Sequence, residues 1–114
     1  RNLASDKYDY LSPVIENITG YAQEEMINMP MSAVFGKVHP DDLPQLSQVI
    51  KESIEGGNTD LRIEYRFLCK DRNYRWFVDR TVLVKDGSGK PEFLYGTFQD
   101  INERKILEIK LKES

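Results

Sequence analysis

The sequence predicts an α+β domain with helices gathered on one face of an antiparallel sheet. Three observations carry this. Between Ser12 and Gly57 apolar residues recur at helical spacing, punctuated by proline and glycine. Between Leu61 and Ile101 they alternate with polar residues at period two, interrupted by turn residues. The 114 residues suit one domain, and the 39% apolar fraction supports one modest core.

Tyr8-Asp9-Tyr10-Leu11 reads as a short strand. Ser12-Pro13 starts a helix, a hydroxyl cap followed by proline at the first helical position. Val14, Ile15 and Ile18 then share a face, and Gly20 supplies the stop. Gln23 to Ile27 is one more helical turn, with Ala22 where a capping side chain would sit, so this helix is expected to fray. Met31 to Val38 forms a short apolar turn around Val34 and Phe35. Pro40-Asp41-Asp42 opens the longest helix, its acids matched to the positive end of the dipole. Leu43, Leu46, Val49, Ile50 and Ile54 follow at helical spacing, with Ile50 expected to face the sheet, and Gly56-Gly57 closes the helix.

The second half reads as sheet. Leu61, Ile63, Tyr65, Phe67 and Cys69 alternate with Arg62, Glu64 and Arg66. Asp71-Arg72-Asn73 is a turn in which Asn73 is the residue best suited to positive φ. Tyr74 to Lys85 is the next strand, Asp86-Gly87-Ser88-Gly89 the hairpin turn, and Pro91 to Ile101 the last strand. A charged, helix-favouring tail then runs to Ser114.

Composition excludes several classes. A net charge of −3 with 31% charged residues suits a soluble surface and argues against nucleic-acid binding. No apolar run approaches the roughly 20 residues that span a bilayer. The lone Cys69 allows no internal disulfide, and a reducing cytoplasm is expected. There is no signal peptide and no initiator Met, so the chain is expected to be a piece of a longer protein.

No catalytic set emerges. His39 is the only histidine, and with Asp41 it is expected to organise a helix entry rather than hold a metal. Asp41-Asp42 and Glu24-Glu25 are adjacent helical positions about 100° apart, so neither pair converges on one atom. Gly56-Gly57 and Gly87-Ser88-Gly89 lack the lysine and helix of a phosphate loop. Cys69, on a strand beside Phe67 and Tyr65, reads as a small buried hydrophobe. Arg66 and Arg80 could clasp a ligand carboxylate, but such residues more often face solvent or pair with Glu64 and Asp79 across the sheet.

Asp100-Ile101-Asn102-Glu103-Arg104-Lys105 joins the last strand to the tail. It resembles the D-I-T-E-R-K signature that closes PAS domains of bacterial sensor proteins and starts their output helix, with Asn102 in place of threonine. Asn17-Ile18-Thr19-Gly20-Tyr21, His39-Pro40-Asp41-Asp42 and Glu64-Tyr65-Arg66 lie in the order that family shows, and the resemblance covers nearly the whole chain. It implies a five-stranded antiparallel sheet with short helices on one face and a C-terminal signalling helix. Only Arg1 to Ala4 are left to form the first strand, which either pairs at the sheet edge or is truncated. The implied organisation is a sensory domain over residues 1–101 and the start of a linker helix over 102–114.

The resemblance implies a sensory and dimerising module, not an enzyme in itself. It would pass ligand- or dimer-induced changes through the Asp100–Lys105 junction to a C-terminal histidine kinase or diguanylate cyclase. The long helix lacks the histidine of haem-binding relatives, and no segment carries the flavin-adduct cysteine motif, so no haem, flavin or metal is expected. Tyr21, Phe35, Ile50, Tyr65, Phe67 and Phe98 are the candidate lining of a small ligand pocket between the sheet and the long helix, although the same aromatic residues could fill a core. In the tail, Arg104, Leu107, Leu111 and Ser114 follow a 3-4-3 spacing that Ile106 and Ile109 broaden. The apolar face of this helix needs a partner, either its own domain or a second copy. Leu107 and Leu111 are the candidate association residues, and a homodimer is expected, with no nucleic acid and no direct membrane insertion. Two rivals remain open: a ligand-free dimerisation spacer and a small ligand-binding enzyme domain. A convergent acid or base deep in the apolar face would favour the enzyme, and the sequence holds none.

Overall fold

A computed structural model describes residues 1–2, 5–56 and 60–113, the side chains of Ile54 and Pro91 excepted. Leu3 and Ala4 of the expected first strand, Ile54 as a side chain of the long-helix face, Gly57 as its stop and Ser114 of the tail seam lie outside that description. The elements are α1 (Val14–Thr19), α2 (Gln23–Ile27), α3 (Met31–Phe35), α4 (Leu43–Gly56), β1 (Asp60–Leu68), β2 (Tyr74–Lys85), β3 (Pro91–Asp100) and α5 (Asn102–Glu113).

The strands form one antiparallel sheet in the order β1-β2-β3. Its register sets Tyr65 opposite Phe77, Ile63 opposite Asp79, and Asp79 opposite Phe98. Directly opposed residues share a face, so these side chains all point inward. Leu61, Ile63, Tyr65, Phe67 and Cys69 are buried, as the period-two pattern predicts. Ile15, Met26 and Leu46 from the helices, with Val38 from the segment between α3 and α4, close over them as one core.

Local chemistry explains the helix ends. Gly20 stops α1 at φ 81°, in the left-handed region, and its N–H donates to Glu16 O at 2.8 Å. A Cβ there would also meet Lys70 Cβ at 3.1 Å. Ala22 gives α2 no side-chain cap. Among the described side chains of α4 the buried ones are Leu46 and Ser53, seven residues apart, so they mark the middle of the inward stripe.

Five expectations need correction. The sheet has three strands among the described residues, not five. Arg1 pairs with Leu94 through both main-chain groups, and Asn2 bridges to Phe93 and Lys7. Asp6 turns the chain at φ 53°, which no strand can pass through. The expected strand Tyr8–Leu11 is irregular: the Tyr8 N–H donates to Ile27 O and the Leu11 carbonyl accepts the Gln23 amide, so these groups serve helix α2. Asp42 is a clasp rather than a helix-start acid, because its carboxylate accepts the Arg66 backbone N–H at 2.8 Å and Arg66 Nε and Nη2 at 2.9 Å each. Arg72, not Asn73, takes positive φ in the β1–β2 turn, at 68°. Ile50 is only partly buried, on the flank of the stripe that Leu46 centres.

Candidate functional site

A cavity of about 160 Å³ lies between the inner sheet face and the short helices. Its apolar walls include Ile15, Met26, Phe35, Leu46, Phe67 and Phe98. Phe98 stacks on Phe77 with ring centroids 4.3 Å apart, and Phe67 meets both edge-on, so one wall is a locked aromatic cluster. Gly96 lines the cavity where a Cβ would fall 2.0 Å from Arg80 O, a close strand approach that only glycine permits.

One end of the cavity is polar. Asp79 projects inward from the central strand and accepts the Tyr65 hydroxyl at 2.8 Å and the Thr81 hydroxyl. Burial raises the Asp79 carboxyl above its usual range, opposed by the hydrogen bonds from Thr81 and Tyr65. Burial, then the Asp79 charge, pushes the Tyr65 hydroxyl well above its ordinary value, so it remains a donor. Tyr8 and Arg1 line the same end, with the Arg1 guanidinium 4.3 Å from the Tyr8 ring centroid. Arg1 Nη1 reaches Asp6 at 3.1 Å and Nη2 reaches Met29 O at 2.6 Å, while Nε is buried without a hydrogen-bond partner.

Of the six residues singled out for a pocket, Phe35, Tyr65, Phe67 and Phe98 line this cavity. Tyr21 does not; its ring lies under Lys37 Nζ at 5.1 Å. Ile50 lines a separate shallow groove with Phe35, Ser47, Lys51 and Glu55. The cross-sheet pairs of Arg66 with Glu64 and Arg80 with Asp79 do not form. Arg66 binds Asp42 on the outer face, where Arg80 stands exposed. Asp79 is the residue that sequence reasoning missed. The signal was present: once Phe77 is taken as inward, period two places Asp79 and Thr81 inward as well. Adjacent Trp76 and Phe77 leave that phase undecided in the sequence.

The sheet-to-helix junction begins two residues beyond Phe98. Asp100 Oδ2 accepts Arg75 Nε at 3.0 Å, and Oδ1 accepts the Asn102 N–H at 2.8 Å, so one carboxylate ties β2 to the first turn of α5. Ile101 is buried, its N–H donating to Trp76 O and its carbonyl accepting the Lys105 N–H, each at 2.9 Å. Asn102 does not cap with its side chain; its Oδ1 accepts the Trp76 N–H at 3.0 Å. Glu103 stands exposed in the first turn of α5, where acid suits the helix dipole.

Glu64 on the outer face of β1 gathers the next turn. It accepts Arg104 Nη2 at 2.8 Å, Lys105 Nζ at 3.0 Å and Arg62 Nη2 at 3.2 Å. The Lys105 hydrogen bond leads in holding the Glu64 carboxyl below its ordinary value, against partial burial and aided by Arg104 and Arg62. Lys105 Nζ and the Arg66 guanidinium each sit 4.9 Å from the Trp76 ring. Beyond this point α5 leaves the domain, with Leu107 58% and Leu111 65% exposed beside Ile106 and Ile109. Val82, Val84 and Tyr95 are likewise exposed on the far end of the outer sheet face.

Cys69 is buried, and desolvation raises its thiol to about 11, so it is packed rather than reactive. His39 Nδ1 accepts the Asp41 N–H at 3.1 Å at the entry to α4. Among the described residues no group of three or more His, Cys, Asp or Glu could hold a metal, and no helix is long and apolar enough to cross a membrane.

Comparison with known proteins agrees with this geometry. The family model described as the PAS fold matches residues 8–98. The peroxide stress-activated histidine kinase mak1 of Schizosaccharomyces pombe is 31% identical over 87 residues, which are 76% of this chain but 5% of that kinase. The N-terminal domain of a diguanylate cyclase with PAS/PAC sensor from Marinobacter aquaeolei superposes with TM-score 0.77 at 28% identity, covering 90% of this chain and 92% of that one. A sensory box histidine kinase/response regulator from Burkholderia thailandensis superposes with TM-score 0.80 at 27% identity, covering 97% of this chain and 80% of that one.

Proposed function

The chain belongs to the PAS family, and on that footing we propose that it is the ligand-sensing and dimerising module of a larger signalling protein. The cavity is the sensing site. The C-terminal helix carries the response to an output domain, a histidine kinase or a diguanylate cyclase as in the relatives, and the module works in the cytoplasm as a homodimer without haem, flavin or metal.

One observation carries the reading: the cavity wall and the output helix share a strand. Phe98 lines the cavity, and Asp100, two residues on, binds both Arg75 and the first turn of α5. A ligand that displaces Phe98 therefore strains a junction made of directional hydrogen bonds. The exposed apolar residues of α5 support association, since such a face is stable only against a partner. The aromatic cluster at one wall favours the rival reading, a ligand-free dimerisation spacer, because stacked rings resist displacement.

Two measurements on the purified chain decide between them. Mass spectrometry of small molecules released on denaturation should find a bound compound of low mass, and the native protein should absorb only in the aromatic band. Sedimentation should show more monomer in the Leu107→Glu/Leu111→Glu double variant than in the parent, because unpaired carboxylates are costly to bury. A stoichiometric visible chromophore would overturn the cofactor claim. An unchanged dimer fraction would move the interface to the outer sheet face. In the full-length protein, Asp100→Ala should preserve folding and abolish the response to signal; a normal response would remove the junction from the mechanism.

A further inference from the structure

We propose that the cavity selects a small neutral molecule with an apolar body and one hydroxyl group, of about the size of phenol, its hydroxyl donated to Asp79. This rests on the reading of the cavity as the ligand site. Size sets the first limit. At about 160 Å³ the space is close to the engineered apolar cavity of roughly 150 Å³ that accepts benzene.

The polar end sets the second. An ionised carboxylate offers about four acceptor positions. Tyr65 and Thr81 occupy two on Asp79, leaving acceptor capacity beside the space. Arg1 lines the same cavity, and its buried Nε–H has no acceptor. A pure hydrocarbon would cover both groups and satisfy neither, and a covered but unpaired polar group costs more than a made bond returns. A hydroxyl can serve either group, because it donates and accepts.

Charge sets the third. An anionic ligand would meet the Asp79 oxygens that already accept from Tyr65 and Thr81, and a cationic one would share the cavity with the Arg1 guanidinium. Each penalty grows as the ligand itself covers these groups and takes them out of water. A neutral hydroxyl compound avoids both.

The test titrates the 15N-labelled chain with benzene, phenol and benzoate, followed by amide shifts at Thr81, Gly96 and Phe98. Phenol should bind about fivefold or more tightly than benzene, the factor that one net hydrogen bond supplies. Benzoate should bind more weakly than phenol. Asp79→Ala should retain benzene binding and erase the preference for phenol; the comparison of the three probes on the parent chain stands even if that variant fails to fold. Benzene or benzoate binding as tightly as phenol, or a preference that survives in a folded Asp79→Ala protein, overturns the hydroxyl assignment and leaves the cavity as a ligand site. Absence of saturable shifts with phenol and benzene alike overturns the cavity reading itself, and this inference with it.

Discussion

Replacing Glu64 by glutamine should loosen α5 from the sheet without unfolding the domain. The side chain keeps its shape and loses its charge. No residue of α5 is buried, so apolar packing contributes little to its position, and the ion cluster holds its first turns. The cluster is partly screened: Glu64 is 22% exposed, Lys105 23% and Arg104 49%. Exposed pairs contribute about 0.2–1 kcal/mol each, so the Arg104 and Lys105 contacts together hold α5 by about 0.4–2 kcal/mol after solvent screening. That corresponds to roughly 2- to 30-fold faster opening. Amide hydrogen exchange of the backbone from Lys105 to Glu113 reports it directly. In low salt the Glu64→Gln chain should exchange faster there by that factor, while the strands are unchanged. At about 1 M salt, where the screening length falls to about 3 Å, the two proteins should converge. Equal protection of α5 in low salt, or a difference indifferent to salt, would refute the claim that charge holds the helix.

Two further outcomes follow from the packing and the charges. Leu46→Ala should lower stability by about 2–5 kcal/mol, Ile50→Ala by less because it lies on the flank, and Lys51→Ala by under about 0.5 kcal/mol. Urea unfolding ranks them, and a larger loss at Ile50 than at Leu46 would rotate the assigned helix face. For Asp42, burial raises the carboxyl, but the Arg66 hydrogen bonds and charge outweigh it and bring it below the usual carboxylate range. A depressed carboxyl stabilises the fold above its unfolded value and loses that contribution as pH falls through the folded value. Stability of the parent should therefore drop as pH descends below about 4, and Asp42→Asn should flatten that drop; identical acid slopes in the two proteins would remove the Asp42–Arg66 clasp from the acid response.

Much of the architecture was legible because local signals agreed with one another. Tyr74 to Lys85 is bounded by turn chemistry on both sides, and the strand runs between those residues. Gly20 stops α1 for the reason its position suggests, since only glycine enters the left-handed region without penalty. What was illegible depended on phase and on partners distant in sequence. Five apolar residues announce the α4 stripe, but its centre is set partly by Ser53, which is buried and reads as polar. Asp42 looks like a first-turn acid until β1 brings Arg66 to it, 24 residues away. Asp79 reads as a surface carboxylate because Trp76 and Phe77 offer two equally apolar phases, and only pairing with Ile63 and Phe98 selects one. The irregular Tyr8–Leu11 segment has the same origin: Asp6 reverses the chain at positive φ, and nothing in its neighbours requires that turn.

The way α5 is held bears on how cheaply it can move. Had Leu107 and Leu111 been buried against the sheet, release would cost about 1.5–3 kcal/mol for each side chain returned to water. They are exposed, and the first turns are tied instead by Glu64, Asp100 and the main chain of Trp76. Water replaces such contacts at a small net cost. A ligand present at about 100 times its dissociation constant stabilises the state it prefers by about 2.7 kcal/mol, provided the other state does not bind it. That exceeds the roughly 0.4–2 kcal/mol that the ion cluster supplies. On the proposed sensing function, the polar attachment is what would let a ligand in a cavity this small displace the helix. The same arithmetic assigns the two halves of the junction different duties. Ile101 is buried and fixes the point from which the helix leaves, whereas Arg104 and Lys105 set its direction. Movement that spares the first and breaks the second swings α5 about Ile101 and leaves the sheet intact.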